Sequence, residues 1–188
     1  VSPVPFYTAD LHEKTMNQIV IPTINGLKSQ NLEFRGFVFF GLILVENNPM
    51  VIEYNVRLGD PETEVIIPRL NESLSQMILD SKNGELVSRD ANKKAEHATT
   101  VFAVSGGYPE KYDKGKIINI ASDCETLFHA GTKRDDDGLY TNGGRVVAAT
   151  CYGNSMDDAL KSSYELLSNI SFDKMTYRND IGQDLKNY

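Results

Sequence analysis

Residues 51–62 read Val51-Ile52-Glu53-Tyr54-Asn55-Val56-Arg57-Leu58-Gly59-Asp60-Pro61-Glu62, and the interpretation of the whole chain starts from them. Apolar and polar residues alternate as far as Arg57, which is typical of a β-strand with two different faces. Side chains two residues apart on a strand lie on the same face. The alternation therefore predicts a polar face with Glu53, Asn55 and Arg57. It predicts a second face, directed at the core, with Ile52, Tyr54 and Val56.

The polar face has the chemistry of a metal and phosphate site. The Glu53 carboxylate and the Asn55 amide oxygen are hard ligands of the kind that Mg²⁺ accepts together with water and phosphate oxygens. The Arg57 guanidinium offers a bidentate grip on a phosphate or an acyl phosphate. The competing interpretation is an ordinary amphipathic strand with a solvated polar face, because alternation alone is common.

The preceding segment favours the functional interpretation. Residues Gly36–Val45 are almost entirely apolar, so we expect a buried strand. Asn47-Asn48-Pro49 indicates a turn, and Met50–Val56 is then the second strand of an antiparallel hairpin. A charged row beside a buried strand needs either partners or a function.

Helical patterns lie on both sides of this hairpin. Apolar residues recur at helical spacing from Leu11 to Leu27, with Asp10 as the expected cap and with Pro22 and Gly26 limiting or kinking the end. After the hairpin, the helix-start pattern Asp60-Pro61 predicts a cap followed by proline at the first helical position. That second helix should extend to Ile78 and be interrupted near Pro68.

The second half of the chain predicts a separate α+β domain. The polar stretch Ser81–Lys94 indicates a boundary, and we expect domains at residues 1–84 and 95–188. Asp135-Asp136-Asp137-Gly138 indicates a turn, with an acidic metal site as the weaker alternative. A helix from Asn154 or Ser155 to Asn169 closes the domain against a small antiparallel sheet. The expected strands are Thr99–Val104, Ile117–Ile120, Thr126–Ala130 and Arg145–Tyr152.

Composition limits the classes of function. The chain has 188 residues, a net charge of −7 and 40% hydrophobic residues, as soluble globular proteins do. No basic stripe suits a nucleic-acid backbone, and the longest apolar run, Phe37–Val45, is too short for a membrane span. The two cysteines, Cys124 and Cys151, form no metal or redox motif and fit a cytoplasmic location. The chain opens Val1-Ser2-Pro3-Val4-Pro5 without an initiating Met, so we expect it to be a piece of a longer protein.

Several motifs together resemble one enzyme family. The hairpin, from Phe34-Arg35-Gly36-Phe37 to Thr63-Glu64, is similar to the metal-binding hairpin of phosphoribosylamine–glycine ligases. The opening residues resemble the continuation of a glycine-rich loop in that family. The second half matches the family's C-terminal domain at four places, which are Ser105-Gly106-Gly107-Tyr108-Pro109, Phe128-His129-Ala130-Gly131-Thr132-Lys133, Thr141-Asn142-Gly143-Gly144-Arg145-Val146 and the tail Lys174–Gly182.

The resemblance implies the C-terminal part of an ATP-grasp domain, a helix plus antiparallel hairpin, followed by a small mixed sheet and helix domain. It implies an ATP-dependent ligase of purine biosynthesis that joins glycine and 5-phosphoribosylamine to give glycinamide ribonucleotide, ADP and phosphate. By the same resemblance, Glu53 and Asn55 hold Mg²⁺ or Mn²⁺ between the ATP phosphates, and Arg57 neutralises charge on the transferring group. The family's N-terminal part would be a missing partner, and we expect this chain alone to be inactive.

Two alternatives stay open from the sequence. One is a non-catalytic binding module, and the other is a different ATP-grasp ligase that joins another carboxylate and amine. Three further features are interpreted as structural: His129 as a satisfied core or loop histidine, and Gly131-Thr132-Lys133 and Asn142-Gly143-Gly144-Arg145 as hairpin turns.

Overall fold

The computed structural model describes residues 1–87, 97–121 and 126–188, and the chain divides into two compact units. The first, here termed the hairpin unit, comprises Val4–Thr63, Leu70–Asn92 and Tyr188. The second, termed the sheet unit, comprises Val1–Pro3, Glu64–Arg69 and Lys93–Asn187. The expected domain limits at residues 84 and 95 stay a prediction, since residue 95 lies outside the described residues.

The hairpin unit begins with the predicted helical segment. It consists of α1 (Ala9–Thr15), one π-helical turn (Met16–Val20) and α2 (Ile21–Ser29). The predicted cap was wrong, because the Thr8 side chain accepts the Leu11 N–H and occupies the cap position. Asp10 lies in the first turn, two residues after this cap, and forms an ion pair with Lys14 at 2.9 Å.

Neither Pro22 nor Gly26 ends this helix, contrary to prediction. Pro22 lies in the first turn of α2, directly after the π-helical turn. Proline removes one backbone hydrogen bond and crowds the preceding turn, and a wider π-turn is one local adjustment that accepts it. Helix α2 continues to Ser29, and the Gln30 N–H closes the last turn on the Gly26 carbonyl at 3.1 Å.

The predicted antiparallel hairpin is confirmed, with β1 at Phe39–Val45 and β2 at Asn48–Asn55. Its turn lies earlier than predicted, because Val45 pairs with Asn48 and Glu46-Asn47 form the loop. Both loop residues have positive φ, 48° and 60°, as a type I′ turn requires.

Strand β1 is not buried, contrary to the prediction from the sequence. Its residues are at best half-buried, and Ile43 and Val45 are 51% and 48% exposed. Within the hairpin unit, α1 contacts β2, and Pro49 of β2 is buried. An apolar strand in this unit is therefore covered on one face, while the residues with the largest exposure lie on the other.

The helix expected after the hairpin is split into shorter pieces. They are α3 (Thr63–Ile66), a 3₁₀ turn (Ile67–Arg69) and α4 (Leu74–Asn83), so the predicted interruption near Pro68 is confirmed. The predicted cap at Asp60 with Pro61 as the first helical residue was wrong. The helix starts at Thr63, and both the N–H and the hydroxyl of Thr63 donate to the Gly59 carbonyl, so residues 60–62 form a turn before the helix.

The sheet unit contains the predicted small sheet and main helix, with three additional short strands. Ile117–Ile120 is reduced to a two-residue strand, and Ser155 caps the helix by accepting the Asp158 N–H at 3.1 Å. The elements are β3 (His97–Val104), β4 (Asn119–Ile120), β5 (Leu127–His129), β6 (Thr132–Asp135), β7 (Gly138–Thr141), β8 (Arg145–Gly153), α5 (Met156–Ser168), β9 (Ile170–Ser171) and a 3₁₀ turn (Gln183–Asn187).

The core of this unit lies between the sheet and α5. The sheet has the order β3-β8-β5 with antiparallel neighbours, and α5 packs on β3 and β8. Burial of this apolar surface, at about 25 cal/mol per Å², supplies the main stabilising term. The largest fully buried apolar side chains are Val101, Val146, Val147 and Leu167, and all of them have 1% exposure or less. The predicted α+β class is confirmed.

The β6–β7 hairpin was not predicted, because its strands are short and mostly polar. It surrounds the predicted turn at Asp135. The Asp135 carboxylate accepts the N–H groups of Asp137 and Gly138, both at 3.1 Å. This acidic run is therefore a turn in which a carboxylate accepts hydrogen bonds from the backbone N–H groups of the turn itself. In the described parts of the chain, no helix is long and apolar enough to cross a bilayer.

A buried hydroxyl pair joins α5 to the sheet. Thr99 and Ser163 are fully buried, their hydroxyl oxygens are 2.7 Å apart, and the Ser163 hydroxyl donates to the Thr99 carbonyl at 3.1 Å. We expect Ser163→Ala to lower the free energy of unfolding by about 1–3 kcal/mol, because it leaves the Thr99 groups buried without this partner. Urea unfolding would measure this change in the free energy of unfolding. Ser162→Ala, half-buried on the same helix, is the control, and an equal loss there would contradict the argument.

A second prediction concerns the tail. The Arg178 guanidinium donates to both Asp180 carboxylate oxygens at 2.8 and 2.9 Å, and these bonds lower the pKa of Asp180. We expect Arg178→Gln to raise the Asp180 pKa toward its ordinary value, as a carboxyl ¹³C NMR titration would show. The control Arg134→Gln on β6 should leave it unchanged. Because the folded pKa is depressed, any contribution to stability is present above about pH 3.9 and is lost as pH falls through the folded pKa.

Candidate metal and phosphate site

Glu53 and Asn55 lie close together on β2. The Asn55 side-chain amide donates from Nδ2 to Glu53 Oε1 at 2.9 Å. Glu53 is exposed and Asn55 is half-buried, so both are reachable by a ligand from solvent. The strand thus presents a carboxylate and an amide on one face, at the two-residue spacing that the sequence predicted.

The structure does not bring Arg57 into this row as a strand residue. Strand β2 ends at Asn55, and Asn55 pairs with Phe39, which is the first residue of β1. Beyond that pair the ladder stops, and the chain bends at Val56 and Arg57. The exposed Arg57 guanidinium donates to the carbonyl of its neighbour Leu58 at 2.9 Å. The predicted strand Met50–Val56 ends one residue earlier than expected, and the predicted place of Arg57 on its polar face was wrong, because the pairing partner ends first.

A β-bulge sets which residues share the face of Glu53. Glu53 pairs with Gly41, whereas Val51 pairs with the next residue of β1, Leu42, so Ile52 is an extra residue on β2. Cross-strand partners lie on the same face. Since Gly41 and Leu42 are on opposite faces of β1, Val51 and Glu53 are on opposite faces of β2, although they are two residues apart.

The bulge also explains why the predicted core face was wrong. Ile52, Tyr54 and Val56 are 65%, 51% and 73% exposed. Ile52 is the unpaired bulge residue, and Val56 lies past the strand end. Tyr54 does lie on the helix side: its ring is 5.4 Å from that of its partner Phe40, and its hydroxyl is 3.3 Å from the Thr23 hydroxyl of α2.

The remaining residues on the Glu53 face are mostly apolar and open. The pairs further along the hairpin on this face are Ile43 with Met50 and Val45 with Asn48. Ile43, Met50 and Val45 are 51%, 53% and 48% exposed. The carboxylate and amide therefore lie at one end of an uncovered, largely apolar strand face.

The pair fits a hard divalent cation by the chemistry of its donors. Carboxylate and amide oxygens suit Mg²⁺ and Mn²⁺, and the remaining coordination positions would be filled by water or phosphate oxygens. Within residues 1–87, 97–121 and 126–188, no group of three or more His, Cys, Asp or Glu side chains is placed to hold a metal ion. A site on β2 would thus have two protein ligands and would depend on a phosphate-bearing ligand for the others.

The other sequence candidates lie in the sheet unit and are accounted for by structure. His129 ends β5, is exposed, and has Nδ1 3.2 Å from the Thr132 hydroxyl. Gly131 and Gly143 lie at bends that approach each other closely, because a Cβ on Gly131 would come within 2.6 Å of the Gly143 Cα. The predicted hairpin turns were wrong, because Thr132 and Lys133 belong to β6 and the strands that these bends join do not pair with each other. The glycines instead permit the close backbone approach.

Gly41 faces Glu53 across the hairpin and was not among the site residues predicted from the sequence. A signal was present, because an isolated glycine inside an otherwise apolar strand indicates a bulge or a close approach. The structure contains both a bulge and a close approach beside Gly41.

Comparison with known proteins matches most of the chain. Residues 1–63 match the family model described as the phosphoribosylglycinamide synthetase ATP-grasp (A) domain. Residues 98–184 match the C domain of the same synthetase. A phosphoribosylamine–glycine ligase from Vibrio parahaemolyticus is 38% identical over 186 residues, and one from Neisseria meningitidis is 40% identical over 185. A bifunctional purine biosynthetic protein of Schizosaccharomyces pombe is 39% identical over 189 residues.

The structural comparison agrees with these matches. The crystal structure of phosphoribosylamine–glycine ligase from Thermotoga maritima superposes with a TM-score of 0.84 at 34% identity, covering 92% of this chain and 43% of that one. In the sequence comparisons, the matches take in 96% of this chain and 43% of the Vibrio parahaemolyticus protein, and 99% of this chain and 24% of the fission-yeast protein. The chain therefore spans less than half the length of these relatives.

Proposed function

This chain belongs to the phosphoribosylamine–glycine ligase family, and we propose that it supplies the metal- and phosphate-binding end of that ligase's ATP-grasp site. The reaction is the ATP-dependent joining of glycine and 5-phosphoribosylamine in purine biosynthesis. The observation that carries the proposal is the 2.9 Å contact between the Asn55 amide and the Glu53 carboxylate, on a strand inside the segment that matches the ATP-grasp domain.

The proposed chemistry has two steps. A glycine carboxylate oxygen attacks the γ-phosphorus of ATP, the bond to the β-phosphate oxygen breaks, and glycyl phosphate and ADP form. The amine of 5-phosphoribosylamine then attacks the glycyl carbonyl, loses a proton, and expels phosphate to leave glycinamide ribonucleotide. Both steps depend on positioning and on neutralising charge at phosphoryl oxygens, since the protein supplies little covalent chemistry.

Glu53, Asn55 and Arg57 each have a proposed role. Glu53 and Asn55 would hold Mg²⁺ or Mn²⁺ through the carboxylate and the amide oxygen, after the amide turns away from its present bond to Glu53 Oε1. When bound, such an ion neutralises negative charge shared by the phosphates. We propose Arg57 as the catalytic cation that faces the transferring phosphoryl group or the acyl phosphate. It is exposed and lies two residues after Asn55. The hydrogen bond that it donates goes to the carbonyl of the adjacent residue Leu58.

The organisation of the protein follows from the same proposal. Residues 1–84 would form the C-terminal part of the ATP-grasp domain, and residues 95–188 the family's C-terminal domain. The partner of both would be the N-terminal part of the same enzyme, with ATP, glycine and 5-phosphoribosylamine as small-molecule ligands. A cytoplasmic location suits this metabolite chemistry and the sparse use of cysteine, of which there are 2 in 188 residues.

We expect the isolated 188-residue chain to make no glycinamide ribonucleotide. Its relatives are more than twice as long, and an ATP-grasp site also needs groups that reach the nucleotide phosphates from outside this hairpin. ADP release in the presence of glycine and 5-phosphoribosylamine would be measured, with the complete enzyme as positive control. Turnover by the isolated chain that depends on both ATP and glycine would refute the expectation.

We expect Asn55→Leu in the complete enzyme to lower kcat/KM by about 10²-fold or more, because it removes one of the two proposed protein ligands of the ion that neutralises the phosphate charge. The apparent Mg²⁺ requirement should rise in parallel, as a metal titration of the steady-state rate would show. Asn17→Leu is the matched control, since Asn17 is an exposed amide of the same unit outside the hairpin. Full activity of the Asn55 variant would contradict the proposed metal site.

A further inference from the structure

We propose that Gly41 is a positioning residue for Glu53: the missing side chain at Gly41 leaves the space in which the Glu53 stem lies. The inference rests on the proposed function, because it concerns the orientation of the carboxylate that would hold the metal. Gly41 itself would contact neither the ion nor the substrates.

The contact between the two residues is direct. Gly41 and Glu53 are cross-strand partners beside the bulge. A Cβ built on Gly41 would stand 2.8 Å from Glu53 Cγ, 3.5 Å from the Glu53 carbonyl oxygen and 3.7 Å from its nitrogen. Carbon atoms that are not bonded to each other prefer about 3.5–4.0 Å. The Cγ would therefore have to move, while the backbone contacts are close to ordinary.

The glycine is not required by the backbone. Gly41 lies within β1 and is not one of the described glycines with positive φ, so alanine can adopt the same conformation. Gly84, with φ of 77° at the end of α4, is the opposite case, since it has open space around its Cβ position but a left-handed backbone. At Gly41 the relevant difference between glycine and alanine is one methyl group and the volume that this group occupies.

That volume decides where the carboxylate lies. With glycine opposite, Glu53 Cγ lies against Gly41, and Glu53 Oε1 accepts a hydrogen bond from the Asn55 amide at 2.9 Å. A methyl group would drive χ1 or χ2 of Glu53 into another staggered well, and such a change moves the carboxylate by ångströms. A metal site tolerates only a few tenths of an ångström in its ligand distances. The two protein ligands would then no longer point at one ion.

The test is Gly41→Ala in the complete enzyme. Mn²⁺ is the probe, and its binding is measured by electron paramagnetic resonance in the presence of ATP and without glycine. We expect the Mn²⁺ dissociation constant to rise about 10- to 100-fold, the range typical of residues that orient metal ligands. Gly26→Ala is the matched control, because Gly26 is a glycine of the same unit with nothing within 4 Å of its Cβ position. That variant should bind Mn²⁺ normally.

A double-mutant cycle separates positioning from general damage. Glu53→Ala removes the Cγ, so adding Gly41→Ala to it should change neither the midpoint of thermal unfolding nor Mn²⁺ binding any further. A Gly41→Ala protein that unfolds early should regain stability when Glu53→Ala is added. If the Gly41 variant instead loses stability equally in both backgrounds, or keeps normal Mn²⁺ binding, the positioning role is wrong.

The same cycle distinguishes failure of the proposed function. If Glu53→Ala leaves Mn²⁺ binding unchanged, Glu53 is not a metal ligand, and the metal role of Gly41 fails with it. If Glu53→Ala weakens binding but Gly41→Ala does not, the proposed function stands and only the inference about Gly41 is overturned.

Discussion

The antiparallel pairing of β1 with β2 is the constraint on which the candidate site depends. Backbone hydrogen bonds set Gly41 opposite Glu53 and Phe39 opposite Asn55. Glu53 and Asn55 share a face by ordinary strand alternation, and the bulge at Ile52 places Val51 on the opposite face. A slip of one residue would move the carboxylate to the other face of the hairpin, so the chemistry proposed for this strand requires this register.

The two units of the chain stabilise their elements differently. The sheet unit has a closed core in which residues such as Val101, Val146 and Leu167 have 1% exposure or less. The hairpin unit has one covered strand face, with Pro49 buried and the Tyr54 hydroxyl 3.3 Å from Thr23. A two-stranded hairpin is marginally stable by itself, so its packing on the helical segment is what holds Glu53 and Asn55 in place.

Much of this arrangement was predictable because local patterns act over short distances. Alternation predicted the β2 strand, and apolar periodicity predicted α5 with a start at Asn154 or Ser155. The errors about the faces and the end of β2 share one cause, which is that they depend on partners distant in sequence. Whether Ile52 faces a core and whether Arg57 belongs to the strand are decided by where β1 begins and by the register with which it pairs.

By itself the sequence determined the family, the α+β class, the hairpin and the presence of hard oxygen ligands two residues apart, since each of these is written in residue types and spacing. The tertiary structure alone decided the bulge, the end of the ladder before Arg57 and the close approach of Gly41 to Glu53. The physical reason is that a residue pattern gives the direction of side chains only relative to their own strand. The neighbouring strand decides which of those directions are paired, open or sterically blocked.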